Sequence, residues 1–215
     1  MHVAFVHYHA RPGGVTRWLK NIALGLIARG NQVTWVLGEP PPCPEEIPPG
    51  VRIVIIPPLA YFQQHIDVKT SLAAVTSSVE AIDLWHFLNP FLGKNQTTPA
   101  LVRHLAKEGW HLVLNFHDFA EDWRIENLSA LHGVTDAGAG YPLAHHIGVL
   151  CQNPRDLKAV HLGGLVAGPG MALPNPVHSP GASSPQNRTK PEGSPLYLYP
   201  GRMIPRKNPG ELVLR

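Results

Sequence analysis

The amino-acid sequence predicts a doubly wound α/β fold, an open parallel sheet covered by helices on both faces. Three observations predict it. Short, nearly all-apolar runs recur along the chain, without the polar alternation of a sheet that has one wet face. Between these runs the apolar spacing switches to the threes and fours of a helix. Helix caps and Gly/Pro breakers stand where the spacing changes. Strand–helix–strand units of this kind carry parallel strands through right-handed crossovers.

His2–Tyr8 opens the chain as a Val- and Phe-containing run, expected to be a strand buried on both sides. Pro12, Gly13 and Gly14 break it. Val15, Trp18, Leu19, Ile22, Ala23, Leu26 and Ile27 then fall on one helical face, and Gly30 stands where a left-handed C-terminal cap is needed. Gln32–Leu37 is the second strand and Val51–Ile56 the third, after a Pro-rich loop. Val68, Leu72, Val75, Val79 and Ile82 mark the next helix, followed by a short strand over Asp83–Phe87. Thr98 followed by Pro99 reads as a cap and first turn, opening a helix that ends near Gly109. Trp110–Phe116 and Ile147–Cys151 are further strands, separated by a partly helical stretch around 120–145. Asn153 and Pro154 repeat the cap before a short helix.

Residues 1–176 are thus expected to form one domain. Residues 177–195 are rich in Pro, Ser and Gly and read as a linker or loop. Over 196–215, Leu196–Tyr199 looks like a strand and Asn208-Pro209 like the cap of a helix, the truncated start of a second domain.

With 44% hydrophobic and 15% charged residues, the 215-residue chain has the composition of a globular protein. Its formal charge of +3 includes no basic run that could track a nucleic-acid backbone, so no nucleic-acid partner is expected. Cys43 and Cys151 lack a CxxC spacing, which argues against a disulfide framework or zinc knuckle and for a reducing, cytoplasmic setting. The start does not resemble a signal peptide, and no apolar run approaches the roughly 20 residues of a transmembrane span. The Asn-x-Ser/Thr matches at Asn95, Asn127 and Asn187 are read as chance.

In open parallel sheets ligands bind beyond the carboxyl ends of the strands. Three polar groups fall there. The first is the stretch from His7 to Gly14, where glycines admit close approach and a helix N-terminus favours an anion; otherwise it is a plain strand-to-helix turn. The second is His86 with Asn89 and Pro90, a candidate ligand contact or a hydrogen-bonded rim. The third is His117-Asp118, followed by Glu121 and Asp122, suited to sugar hydroxyls or proton handling, or else a local capping network. A fourth group lies in the tail, where Arg202 and Lys207 offer a planar fork and a mobile point charge to phosphate oxygens.

The order of these pieces resembles family 4 glycosyltransferases, the retaining type with the GT-B architecture of two facing Rossmann-like domains. The resemblance rests on VAFVHYHARPGGVTRWLKNIALGLIARGNQVTWVLG, IDLWHFLNP, LVLNFHDF, MALPNPV and YLYPGRMIPRKNPGELVL. It implies the N-terminal half of a GT-B fold, transferring a sugar from a nucleotide-diphosphate sugar with retention. Gly13 and Gly14 would lie against the donor diphosphate and His117 would face the donor sugar. Asp118 would orient that histidine or its loop, while Arg202 and Lys207 would neutralise the departing diphosphate. His9, Arg17 and His86 would line the rim on the side of the acceptor, an unidentified sugar, lipid or small molecule. No catalytic metal and no cofactor are implied. The family's acidic pair, Glu-x7-Glu, would lie beyond Arg215 with most of the nucleotide pocket, so these 215 residues are expected to transfer negligibly without the C-terminal domain. A peripheral association with membranes stays open. So do two other readings: a non-catalytic binding module of the same fold, and a metal-dependent hydrolase using His7, His9, His86, His117 and Asp118.

Overall fold

Seven strands pair in parallel into one sheet: β1 (His2–His7), β2 (Gln32–Leu37), β3 (Val51–Ile55), β4 (Leu84–Leu88), β5 (Leu112–Phe116), β6 (Ile147–Cys151) and β7 (Gly170–Ala172). Their order is β3-β2-β1-β4-β5-β6-β7. The computed structural model describes residues 1–61, 68–78, 81–121, 124–132, 141–142, 144–165 and 167–176. Met1–Pro176 is one compact unit and Val177–Arg215 a second, which lies outside the described residues with its expected linker, strand, Arg202 and Lys207.

Chain order reverses between β1 and β4, the topological switch point at which this class of sheet leaves a crevice beyond its carboxyl ends. The doubly wound fold is therefore present as expected. Alternation along each strand divides the apolar residues between two cores. One packs α1 (Gly14–Ile27), through Trp18, Leu19 and Ala23, onto Val3, Phe5, Val33, Trp35 and Leu37. The other packs α2 (Val68–Ser78), α3 (Thr97–Lys107) and α5 (Pro154–Leu162) onto Ala4, Val6, Trp85, Phe87, Leu112, Leu114 and Val149. A fourth helix along the chain, α4 (Ile125–His132), adds Leu131 to that second core.

Local signals explain most boundaries. Gly30 has φ 74°, and the amides of Gly30 and Asn31 return to the carbonyls of Ile27 and Leu26, the doubly bonded helix ending that favours glycine. Asn153 caps α5, its side chain accepting the Asp156 amide at 2.9 Å with Pro154 in the first turn. Three expectations shift. The N-cap of α3 is Gln96, without a side-chain cap, so the helix starts at Thr97; Asn95 Oδ1, just before it, accepts the Thr98 amide at 2.8 Å, and Pro99 sits inside the first turn, where no amide is needed. Trp110 does not join β5, because its amide closes the end of α3 on the Leu105 carbonyl. Finally, β7 forms in a stretch too short to show alternation. Asn95 and Asn127 are buried, with Nδ2 donating to the carbonyls of Pro58 and Ala60 and to that of Leu92, respectively.

Candidate functional site

The carboxyl edge around the switch point gathers histidines from three adjacent strands. His7 ends β1, His86 lies in β4 opposite Phe5, and His117 directly follows β5. Alternation turns all three toward α1, where Trp18 meets His86 and His117. Its ring centroid is 5.3 Å from that of His86 and 5.5 Å from that of His117, edge-on at 89°. Phe5 backs His86 at 4.8 Å. Further out, His9 stands 5.3 Å from His7 and 4.6 Å from Tyr61, which in turn packs on Tyr8 at 4.9 Å.

Burial dictates the charge state of these rings. An imidazolium in a low-dielectric interior loses its hydration, so desolvation favours the neutral form. The pKa of His7 falls to about 3, lowered further by His9 and His117, although its Nδ1–H donates to the Leu88 carbonyl at 3.2 Å. Burial takes His86 to about 3, with His117 adding to the effect. His117 falls to about 4, burial prevailing over the opposing pull of Asp118. His9 is lowered as well, first by burial. The cluster is thus neutral at physiological pH. The Nε2 atoms of His86 and His117 are buried without a hydrogen-bond partner among the described residues, and so are Trp18 Nε1, Asn115 Nδ2 and Gln152 Oε1.

Asp118 is held on two sides. Its Oδ1 meets the Arg124 guanidinium at 2.6 Å, and its amide donates to Asn89 Oδ1 at 3.2 Å. Glu121 accepts the Tyr141 hydroxyl at 3.2 Å, and Asp122 lies outside the described residues.

The Gly13-Gly14 turn opens α1 at the same edge of the sheet. Among the described residues no side chain caps this helix, and its first turn carries no acidic residue, so its N-terminal amides keep their affinity for an anion. Gly13 is extended, at φ 170°, and a Cβ on either glycine would meet nothing closer than an ordinary contact. The fold itself therefore does not demand glycine here. An open depression of about 440 Å³ lies over the turn, lined by Pro12, Gly13, Gly14 and Thr16, by Arg17 and Lys20 from α1, and by Glu46, which pairs with Lys20.

No protein-family model and no curated protein matches the chain. Solved structures do. UGT2 of Phytolacca americana, complexed with UDP-2fluoro-glucose and pterostilbene, is similar with a TM-score of 0.46 and 14% identity over 85% of this chain and 54% of that one. Its apo form gives a TM-score of 0.47 and 13% identity over 83% and 52%. TcCGT1 in complex with UDP gives 0.43 and 10% over 80% and 50%. The chain spans about half the length of the solved structures it matches. Its doubly wound fold is established by its own strand order.

The residues singled out in the sequence divide into two groups here. His86 and His117 meet Trp18, with His7 and Asp118 beside His117 and His9 beside His7, whereas Arg17 lines the depression with the glycines. Trp18 and Lys20 are about 200° apart around the axis of α1, so Lys20 is turned away from the flank that carries Trp18. Trp18, Tyr61, Asn115, Gln152, Lys20 and Glu46 were not anticipated. Asn115 carried a signal, a carboxamide inside the apolar run LVLNF; Trp18 carried none beyond its place on an apolar helical face. Among the described residues, no three of His, Cys, Asp and Glu stand as a metal-holding group, which leaves the hydrolase reading without a ligand set there. No described helix is long and apolar enough to cross a membrane.

Proposed function

We propose that this chain is the acceptor-side half of a glycosyltransferase of the GT-B type, acting on a nucleotide-diphosphate sugar with retention, as in family 4. The observation that supports this most is the set of neutral imidazoles beside an uncapped helix N-terminus at the switch point. A neutral imidazole exchanges hydrogen bonds with uncharged hydroxyls, which are what a sugar presents. With a pKa of about 4, His117 is a poor proton acceptor at neutral pH, so its role is to hold and polarise a donor-sugar hydroxyl rather than to remove a proton. Gly13 and Gly14 let a diphosphate approach the first amides of α1, with Arg17 and Lys20 lending positive charge from its outer flank. His9, half-buried against Tyr61, and His86 face the acceptor side. Asp118 secures the turn that carries His117.

The test is transfer of a radiolabelled sugar from the common nucleotide-diphosphate sugars by the chain supplied with a donor-binding domain. Turnover that drops about 10²-fold or more in His117→Ala supports the reading. A folded protein that turns over none of these donors overturns it.

A further inference from the structure

We infer that Asn89 is a positioning residue, whose side-chain carbonyl fixes the main chain at His117 and so sets where that imidazole stands. Only the identity of what the imidazole touches rests on the function proposed above; the positioning itself does not.

Between β4 and β5 the ladder runs regularly. The Trp85 amide bonds the His111 carbonyl, and four residues on the Asn89 amide bonds the Asn115 carbonyl at 2.8 Å. Continued by the same parallel spacing, the His117 amide would meet the main-chain carbonyl of Asn89. It does not, because Asn89 is left-handed, with φ 49°. That twist turns its main-chain carbonyl away, to accept the Tyr8 hydroxyl at 2.6 Å and the Leu92 amide at 3.2 Å. The side chain takes the vacated place. Asn89 Oδ1 accepts the His117 amide at 2.7 Å and the Asp118 amide at 3.2 Å.

Asparagine suits this position for two separate reasons. Among non-glycine residues it tolerates the left-handed region best, and its carboxamide is short enough to mimic a backbone carbonyl. Asn89 is 2% exposed, so no water replaces that acceptor freely. Through these bonds one residue ties together β1, β4 and the turn after β5, the strands that bring His7, His86 and His117 together.

Two variants separate the backbone from the side chain. Asn89→Gly keeps the left-handed turn and deletes the acceptor; Asn89→Asp keeps both. Two NMR readouts on the whole chain follow His117, its amide exchange and its ring titration. In Asn89→Gly the His117 amide should exchange about tenfold faster or more, as the loss of one buried hydrogen bond implies. The ring titration should rise from about 4 toward 6.5 as the turn loosens and the ring gains water. Asn89→Asp keeps the acceptor and should retain the wild-type amide exchange, while its added carboxylate raises the His117 titration by charge alone. An Asn89→Gly protein that folds with the exchange and titration of His117 unaltered overturns the proposal, since a purely structural turn predicts that result. Should Asn89→Gly fail to fold, exchange in the wild type decides: protected His117 and Asp118 amides support the proposal, and free exchange overturns it. Neither readout requires sugar transfer, so the fate of the transfer assay does not bear on this one.

Discussion

Toward α2 and α3, the central strands β1, β4 and β5 present Ala4, Val6, Trp85, Phe87, Leu112 and Leu114, all buried. Toward α1 the same three strands present Val3 and Phe5 first, then His7, His86, Asn115 and, just past the last strand, His117. The backbone ladders beneath the two faces are shared, so the difference lies in side chains alone. Apolar side chains gain about 25 cal/mol per Å² removed from water, whereas each buried polar atom left without a partner costs about 1–3 kcal/mol. One face therefore supplies stability, and the carboxyl end of the other spends some of it on groups whose hydrogen bonds remain to be made. Such a cost is expected where a ligand completes the set.

Acid should expose this contrast most strongly. The folded pKa values of His7, His86 and His117 lie below the unfolded value of 6.5, so at lower pH the unfolded chain binds more protons than the folded one. Their contribution is whole above pH 6.5 and is lost as pH falls toward about 4 and 3. The three together should remove on the order of 10 kcal/mol across that window, read by urea unfolding at stepped pH. Stability that stays level over the window would mean the imidazoles are hydrated.

A pair of substitutions on adjacent residues sharpens the comparison. Phe87→Ala, on the apolar face, should cost about 3–5 kcal/mol. His86→Leu, one residue away on the other face, should raise stability by about 1 kcal/mol by removing an unpartnered Nε2, and should take one proton from the acid transition. A loss of stability in His86→Leu would show that the ring is already satisfied. Smallest in effect is Gly14→Ala, expected to add about 0.5–1 kcal/mol because a Cβ there meets no protein atom and the helix gains propensity. The same change should weaken sugar transfer, and unchanged transfer would detach the glycine turn from the donor.

Much of this architecture could be read from local chemistry. Gly30, Asn153 and the apolar runs each carry their own cause within a few residues, which is why the strand order and most helix ends followed. That His7, His86 and His117 share an edge also follows from strand ends in a parallel sheet. Their common wall does not. Trp18 has the sequence setting of any core residue, and only the rotation of α1 about its axis aims it at two histidines while turning Lys20 away. The start of α3 departs from its expected place for a related reason. Asn95 Oδ1 holds the Thr98 amide while its Nδ2 reaches the carbonyls of Pro58 and Ala60, 37 and 35 residues away, so Thr98 lies inside the helix rather than before it. Long-range demands of that kind leave no trace in spacing.

The two interior asparagines have a consequence for how the protein can be made. Asn95 and Asn127 each begin a tripeptide that a secretory host would decorate during translocation, yet the nitrogen that would carry the glycan is in both cases committed to main-chain carbonyls inside the fold. A sugar chain attached before folding would have no room at either position. Production through a secretory route should therefore yield misfolded, glycan-bearing material, while synthesis without translocation should not.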